Sequence, residues 1–192
     1  MLTDIYFVRH AQSDLSIRQE DIRPLTEVGH ADAKRVTAAL LDKGISRVYS
    51  SPFVRCVDTV RHFADAIGVK VITVDDFRER CIGDWVDDFT GFSKRQWEDF
   101  DYRHPDGESL REVQDRNIKA LNAVLTENTG RSAAIGTHGT ALSTIMNFYD
   151  PTFGYDGFYS MIGKTPYILH FQFVNTSLKS IKEVVFEPQG WF

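Results

Sequence analysis

From Ile5 to Val74 the chain alternates between two hydrophobic periods, and that alternation restricts the fold more than any other feature. The apolar run Ile5-Tyr6-Phe7-Val8 reads as a buried strand. Thr26 to Lys43 then carries Val28, Ala31, Val36, Ala39 and Leu40 at near-helical spacing, with Gly44 as a C-terminal stop. Ile45 to Ser50 reads as a short strand, Phe53 to Ile67 as a second helix closed by Gly68, and Val69 to Val74 as another strand. Parallel neighbours in a sheet need crossover connections, which helices supply, so this order predicts an α/β fold. The expected architecture is a three-layer sandwich, with a mostly parallel central sheet and helices on both faces.

Downstream, helical spacing resumes from Glu108 to Asn128 through Leu110, Val113, Ile118, Leu121 and Leu125. A strand follows that ends at Thr137, then a helix through Leu142, Ile145 and Met146. Tyr167 to Val174 and Ser180 to Glu187 flank Asn175-Thr176-Ser177 as a terminal hairpin. Between these parts, Asp75 to Gly107 breaks the pattern with a polar and aromatic stretch holding Trp85, Phe89, Phe92, Trp97, Phe100, Tyr102 and Pro105. An excursion of this length reads either as a lid over a site or as a surface subdomain held together by its aromatics. The 192 residues show no repeat, linker or low-complexity segment, so one domain over residues 1–192 is expected, with the excursion at 75–107 inserted in it.

Charge narrows the partners. With 22 Lys+Arg against 27 Asp+Glu the net charge is -5, and neither sign forms a long block, which disfavours nucleic acid. Any arginine that binds an anion must act locally, in a pocket, so a small anionic substrate fits better than a polyanion. No apolar stretch approaches the roughly 20 residues that span a bilayer. The opening Met1-Leu2-Thr3-Asp4 has neither a cationic region nor a small-residue cleavage site, and a cytoplasmic location is expected. Cys56 and Cys81 have no metal-type spacing and read as free thiols.

Two strands end in histidine: Ile5 to Val8 runs into Arg9-His10, and Ala133 to Gly136 runs into Thr137-His138. The carboxyl ends of neighbouring parallel strands converge on one crevice, so the two imidazoles can meet despite their separation in sequence. Arginine presents a planar fork of donors that matches phosphate oxygens, and Arg9 and Arg55 beside two imidazoles would hold a dianion. A neutral histidine whose other nitrogen is pinned can attack phosphorus. An alkyl leaving group needs a proton, for which Glu79, just after the strand at 69–74, is the candidate; Asp84, Asp87 and Asp88 compete with it.

The same residues fall into a pattern that resembles the histidine phosphatase superfamily, also called the phosphoglycerate mutase-like family. Arg9-His10-Ala11 is similar to its R-H-G signature and Pro24-Leu25-Thr26 with Gly29 to its P-L-T-x-x-G segment. Tyr49-Ser50-Ser51-Pro52 with Arg55 and Thr59 resembles Y-S-S-P-x-x-R-x-x-x-T. Glu79-Arg80 with Gly83 resembles E-R-x-x-G, Gly107-Glu108-Ser109 the G-E-S element, and Thr137-His138-Gly139 the second-histidine motif. The matches keep the family's order from residue 5 to about residue 145.

The resemblance implies His10 as a nucleophile that becomes phosphorylated, Arg9, Arg55 and His138 as the rest of a phosphate pocket, and Glu79 as proton donor. Ser16 and Thr140 are further candidates for substrate binding. Neither cofactor nor metal is implied, since arginines and imidazoles supply the positive charge; the six histidines show no close ligand pairing. Two positions depart from the pattern: Ala11 stands where the signature has glycine, and Ser16 where many members have asparagine. A Cβ at residue 11 would crowd the bend if it needed positive φ.

The expected activity is hydrolysis of small phosphate monoesters through a phosphohistidine. A phosphoglycerate mutase-type transfer and a non-catalytic phosphate-binding module are the alternatives. Arg18, Arg23 and Arg103 are open to reading a second anionic group or to a solvated surface role. Homodimerisation through the terminal hairpin is also left open.

Overall fold

The computed structural model describes residues 1–83 and 86–186. In chain order the elements are β1 (Leu2–Arg9), α1 (Glu27–Leu40), β2 (Ile45–Ser50), α2 (Val54–Ala66), β3 (Val71–Thr73), a 3-10 turn (Asp75–Phe77), α3 (Phe89–Glu98), α4 (Leu110–Glu127), β4 (Ser132–Thr137), α5 (Gly139–Tyr149), α6 (Tyr155–Ile162), β5 (Tyr167–Val174) and β6 (Ser177–Glu183). The strands form one six-stranded sheet in the order β3-β2-β4-β1-β5-β6. β1, β2, β3 and β4 pair in parallel, whereas β5 runs antiparallel to both β1 and β6.

Side chains alternate across a strand, and here the alternation divides the core in two. Ile5, Phe7, Ala133, Ile135, Leu169, Phe171 and Phe173 turn to one face, where Leu121 and Leu125 of α4 and Leu142 and Ile145 of α5 cover them. Tyr6, Val8, Val48, Ala134 and Ile168 turn to the other, under Val36 and Leu40 of α1 and Val60 and Phe63 of α2. Helices on both faces of a mixed, mostly parallel sheet make the three-layer α/β architecture read from the sequence. No helix among the described residues is long and apolar enough to cross a membrane.

Two helices escaped the sequence pattern. α3 lies inside the aromatic excursion and buries only Phe92, Ser93 and Gln96, and its start depends on the Asp88 side chain accepting the Gly91 N–H at 2.8 Å. α6 is eight residues long and buries only Phe158 and Met161, too short a stripe to register as a period. The hairpin's second leg begins at Ser177 rather than Ser180, because Asn175 adopts positive φ (55°) and closes a tight turn. Glu187 lies outside the described residues, as do Asp84 and Trp85.

At the carboxyl edge of the sheet, Arg9 is in register with Thr137 and Ser50 with Gly136. His10, His138 and Ser51, each the next residue in its chain, therefore leave three adjacent strands side by side.

Candidate active site

The His10 and His138 rings meet edge to face with centroids 5.4 Å apart. The His10 backbone is held from three directions. Its N–H donates to the Thr137 carbonyl at 3.0 Å, its carbonyl accepts from the Thr165 hydroxyl at 2.5 Å, and the following Ala11 N–H donates to Thr59 Oγ1 at 2.9 Å. Nδ1 of His10 lies 2.8 Å from the Ala11 carbonyl, which can only accept, so Nδ1 carries the hydrogen and Nε2 keeps its lone pair. Ala11 is not among the positive-φ residues; its methyl is buried against Leu25 and Ala33, so the bend after His10 tolerates a Cβ.

His138 is fully buried at the N-terminus of α5, with Nε2 2.8 Å from Ser51 Oγ and 3.3 Å from Cys56 Sγ. Burial pushes both imidazoles well below their ordinary value of 6.5, and the charges of Arg55 and Arg9 push the same way. Both are neutral at neutral pH. Burial also raises the Cys56 thiol, leaving it un-ionised beside His138.

Two guanidinium groups surround the imidazoles. Nη1 of Arg9 donates to the carbonyls of Met161, Ile162 and Lys164 at 2.6, 3.0 and 2.7 Å, so the end of α6 anchors it. Burial lowers Arg9 to about 10, still cationic at neutral pH. Arg55, on the first turn of α2, donates to the Glu20 backbone carbonyl and, at 2.7 Å, to the Glu20 carboxylate. The Nε N–H groups of Arg9 and Arg55 are both buried without a partner. Orphaned buried donors are costly, and two of them flanking paired imidazoles mark a place where an anion would restore the missing bonds.

Glu79 follows the 3-10 turn and reaches across to the N-terminus of α5. Its Oε1 accepts from the backbone N–H of Arg80 at 2.9 Å and of Ala141 at 3.0 Å, and its Oε2 accepts from Thr140 N–H at 3.0 Å. The unpaired N–H groups at a helix N-terminus hold the Glu79 carboxyl group in this position. Oε1 has both lone pairs engaged, while Oε2 retains one, the position open to a proton.

The structure thus brings Arg9, His10, Arg55, Glu79 and His138 to one crevice. Thr140 is there too, but its N–H goes to Glu79. Ser16 is exposed on the loop after His10, where its N–H donates to Asp14 Oδ1 at 2.9 Å. Among the competing acids Asp88 caps α3, Asp87 is exposed, and Asp84 lies outside the described residues. Arg23 staples the same loop by donating to the Ile17 carbonyl at 2.7 Å and pairing with Glu20 at 3.0 Å, and Arg103 pairs with Glu112 at 2.9 Å. Arg18 is exposed on that loop. Trp97 packs against Phe100, Phe153 and Phe158, tying α3 to α6. Phe92 packs against Tyr102 and His104, and the Arg80 guanidinium lies over the rings of Phe89 and Phe92. Sequence reasoning missed Glu20, Thr165 and the α6 carbonyls. Thr59 and Ser51 sat in a motif without an assigned task. Among the described residues, no group of three or more His, Cys, Asp or Glu is arranged to hold a metal ion.

The chain is similar to known proteins in sequence and in fold. The model of the histidine phosphatase superfamily (branch 1) matches residues 5–156. The probable phosphoglycerate mutase GpmB of Serratia proteamaculans is 29% identical over 160 residues, covering 76% of this chain and 74% of that protein. Among solved structures, Bacillus stearothermophilus YhfR superposes with a TM-score of 0.78 at 20% identity, covering 92% of this chain and 94% of its own. A mycobacterial glucosyl-3-phosphoglycerate phosphatase superposes with a TM-score of 0.75 at 16% identity, over 95% of this chain and 97% of that one. At these identities the structural likeness speaks for the fold.

Proposed function

Because this chain belongs to the histidine phosphatase superfamily, branch 1, we propose that it is a metal-independent phosphomonoesterase that hydrolyses small phosphate monoesters through a phosphohistidine on His10. One observation carries the reading: the Nδ1 contact of His10 with the Ala11 carbonyl at 2.8 Å, which leaves a neutral Nε2 as nucleophile beside two cationic groups with unpaired donors. Arg9, Arg55 and His138 hold the phosphoryl oxygens and spread the charge of the transition state. In the first step the Nε2 lone pair forms the N–P bond as the ester P–O bond breaks, and the proton on Glu79 passes to the departing alkoxide. In the second, Glu79 takes a proton from water, the water oxygen forms a P–O bond, and the N–P bond breaks. Inorganic phosphate leaves, and His10 and Glu79 return to their starting states.

Phosphoryl transfer within one substrate, suggested by the name of the Serratia relative, requires water to be shut out while the intermediate turns. The exposure of residues 15–22, which carry Glu20 at the Arg55 rim, supports hydrolysis instead. The deciding experiment is phosphate release from an aryl phosphate in EDTA, comparing wild type with His10→Ala. Turnover by wild type alone is expected. Normal turnover by the variant overturns the nucleophile, and a folded but inert wild type points to a mutase or a binding module.

A further inference from the structure

Arg116 of α4 lies outside the motifs that single out the site, yet its donors reach both the segment that carries Glu79 and the Glu108 carboxylate. Nη1 donates to the carbonyls of Asp76 and Arg78, both at 2.8 Å, and Nη2 to the carbonyl of Glu79 itself at 3.2 Å. Nε and Nη2 also form a fork with the two Glu108 oxygens at 2.8 and 3.0 Å, so that all five N–H groups of the guanidinium are used. Glu108 continues the clamp. Its Oε2 accepts the Cys81 N–H at 2.9 Å, its backbone N–H donates to the Cys81 carbonyl at 2.8 Å, and its Oε1 accepts from Arg78 at 2.9 Å.

The two segments lie unusually close. A Cβ on Gly83 would stand 2.5 Å from the Pro105 carbonyl oxygen, and one on Gly107 would stand 2.3 Å from that of Ile82. Burial raises the Glu108 carboxyl, but the Arg116 hydrogen bonds, the Cys81 N–H and the charges of Arg116 and Arg78 outweigh it, and Glu108 stays below its ordinary value. A largely buried ion pair of this kind is poor evidence for stability, since well-packed apolar residues often do as well. What it supplies here is geometry: backbone bonds on both sides of Glu79, while α5 holds the carboxyl end.

We propose that Arg116 and Glu108 are a positioning pair for proton donation, setting the Glu79 carboxyl at the leaving-group oxygen without touching substrate themselves. This rests on the reading of Glu79 as the proton donor. Lysine at 116 keeps the charge but presents its three donors from one nitrogen, which cannot span three carbonyls and a carboxylate fork.

The test uses kcat/KM, which reports the steps up to the phosphoenzyme, on one alkyl and one aryl phosphate. Wild type is compared with Arg116→Lys, Glu108→Gln, Glu79→Gln and the double variant Arg116→Lys with Glu79→Gln, each checked for folding by thermal melting. Arg116→Lys and Glu108→Gln are expected to lower kcat/KM for the alkyl ester by about 10- to 100-fold and for the aryl ester by less than about 3-fold. In the double variant the alkyl-to-aryl ratio should stay at its Glu79→Gln value, because positioning an absent acid has no effect. Equal losses on both esters in a folded variant, or a further change of ratio in the double variant, overturn the positioning role and leave the donor intact. A Glu79→Gln enzyme with the wild-type ratio removes the donor, and this proposal with it. Should Arg116→Lys fail to fold, Glu108→Gln carries the same comparison.

Discussion

Arg55 holds Glu20 through both terminal nitrogens and keeps its Nε N–H buried without a partner. A phosphoryl group bound by Arg55 therefore competes with the Glu20 carboxylate, which is 54% exposed and shared with Arg23. Glu20→Gln removes the competing charge, and vanadate, which mimics pentacoordinate phosphorus, should inhibit about two- to fivefold more tightly, the scale of an exposed ion pair. Weaker inhibition would instead make Glu20 a support for Arg55. Local sequence could not reveal this residue, because a glutamate in a polar loop reads as solvated. Thr165 was equally hidden, since its bond to the His10 carbonyl spans 155 positions. Ser16 was read from its place in the motif, and that place did not show that its backbone N–H turns to the Asp14 carboxylate. His10, Arg9, Arg55 and His138 could be read because each sits at or just beyond the end of a strand or the start of a helix, where the fold itself points side chains at the crevice, whereas Glu79 lies past the 3-10 turn after β3 and was read from its place after that strand and from its motif.

At the scale of elements, α4 matters twice, burying Leu121 and Leu125 in the core and carrying Arg116 to the Glu79 segment. Its start is fixed by a reciprocal cap: Ser109 Oγ accepts the Glu112 N–H at 3.2 Å and Glu112 Oε2 accepts the Ser109 N–H at 2.8 Å. Ser109→Ala should lower stability by about 1 kcal/mol, seen in urea as an earlier midpoint at unchanged slope. An unchanged midpoint would mean that packing alone sets the helix start. Long helices such as α1, α2 and α4 could be read because several turns repeat one apolar face. The short α3 and α6 could not, since they lean on each other through Trp97 against Phe158 rather than on a period of their own.

For the whole molecule, the order β3-β2-β4-β1-β5-β6 could not be deduced from chain order, since β4 inserts between β1 and β2 only once the intervening crossovers are in place. That insertion puts His138 beside His10, burying the first fully and the second in part among arginines, which ties the site to global stability. Both histidines titrate well below 6.5 when folded and near 6.5 when unfolded. Below pH 6.5 the unfolded chain therefore binds protons that the native protein does not, and stability falls as pH drops, by up to about 1.4 kcal/mol per pH unit for each histidine. Glu108 has the same sign in a lower window: its folded value lies below the ordinary 4.5, so its contribution is present above pH 4.5 and is lost on further acidification. Urea unfolding from pH 8 to pH 5, in buffers free of phosphate, should show constant stability down to about pH 6.5 and a decline beneath it. In His10→Ala the decline should be about half as steep, because one of the two titrating imidazoles is gone. A slope unchanged from wild type would mean that His10 accepts its proton in the native crevice, and a neutral nucleophile at mildly acidic pH would then be lost as well.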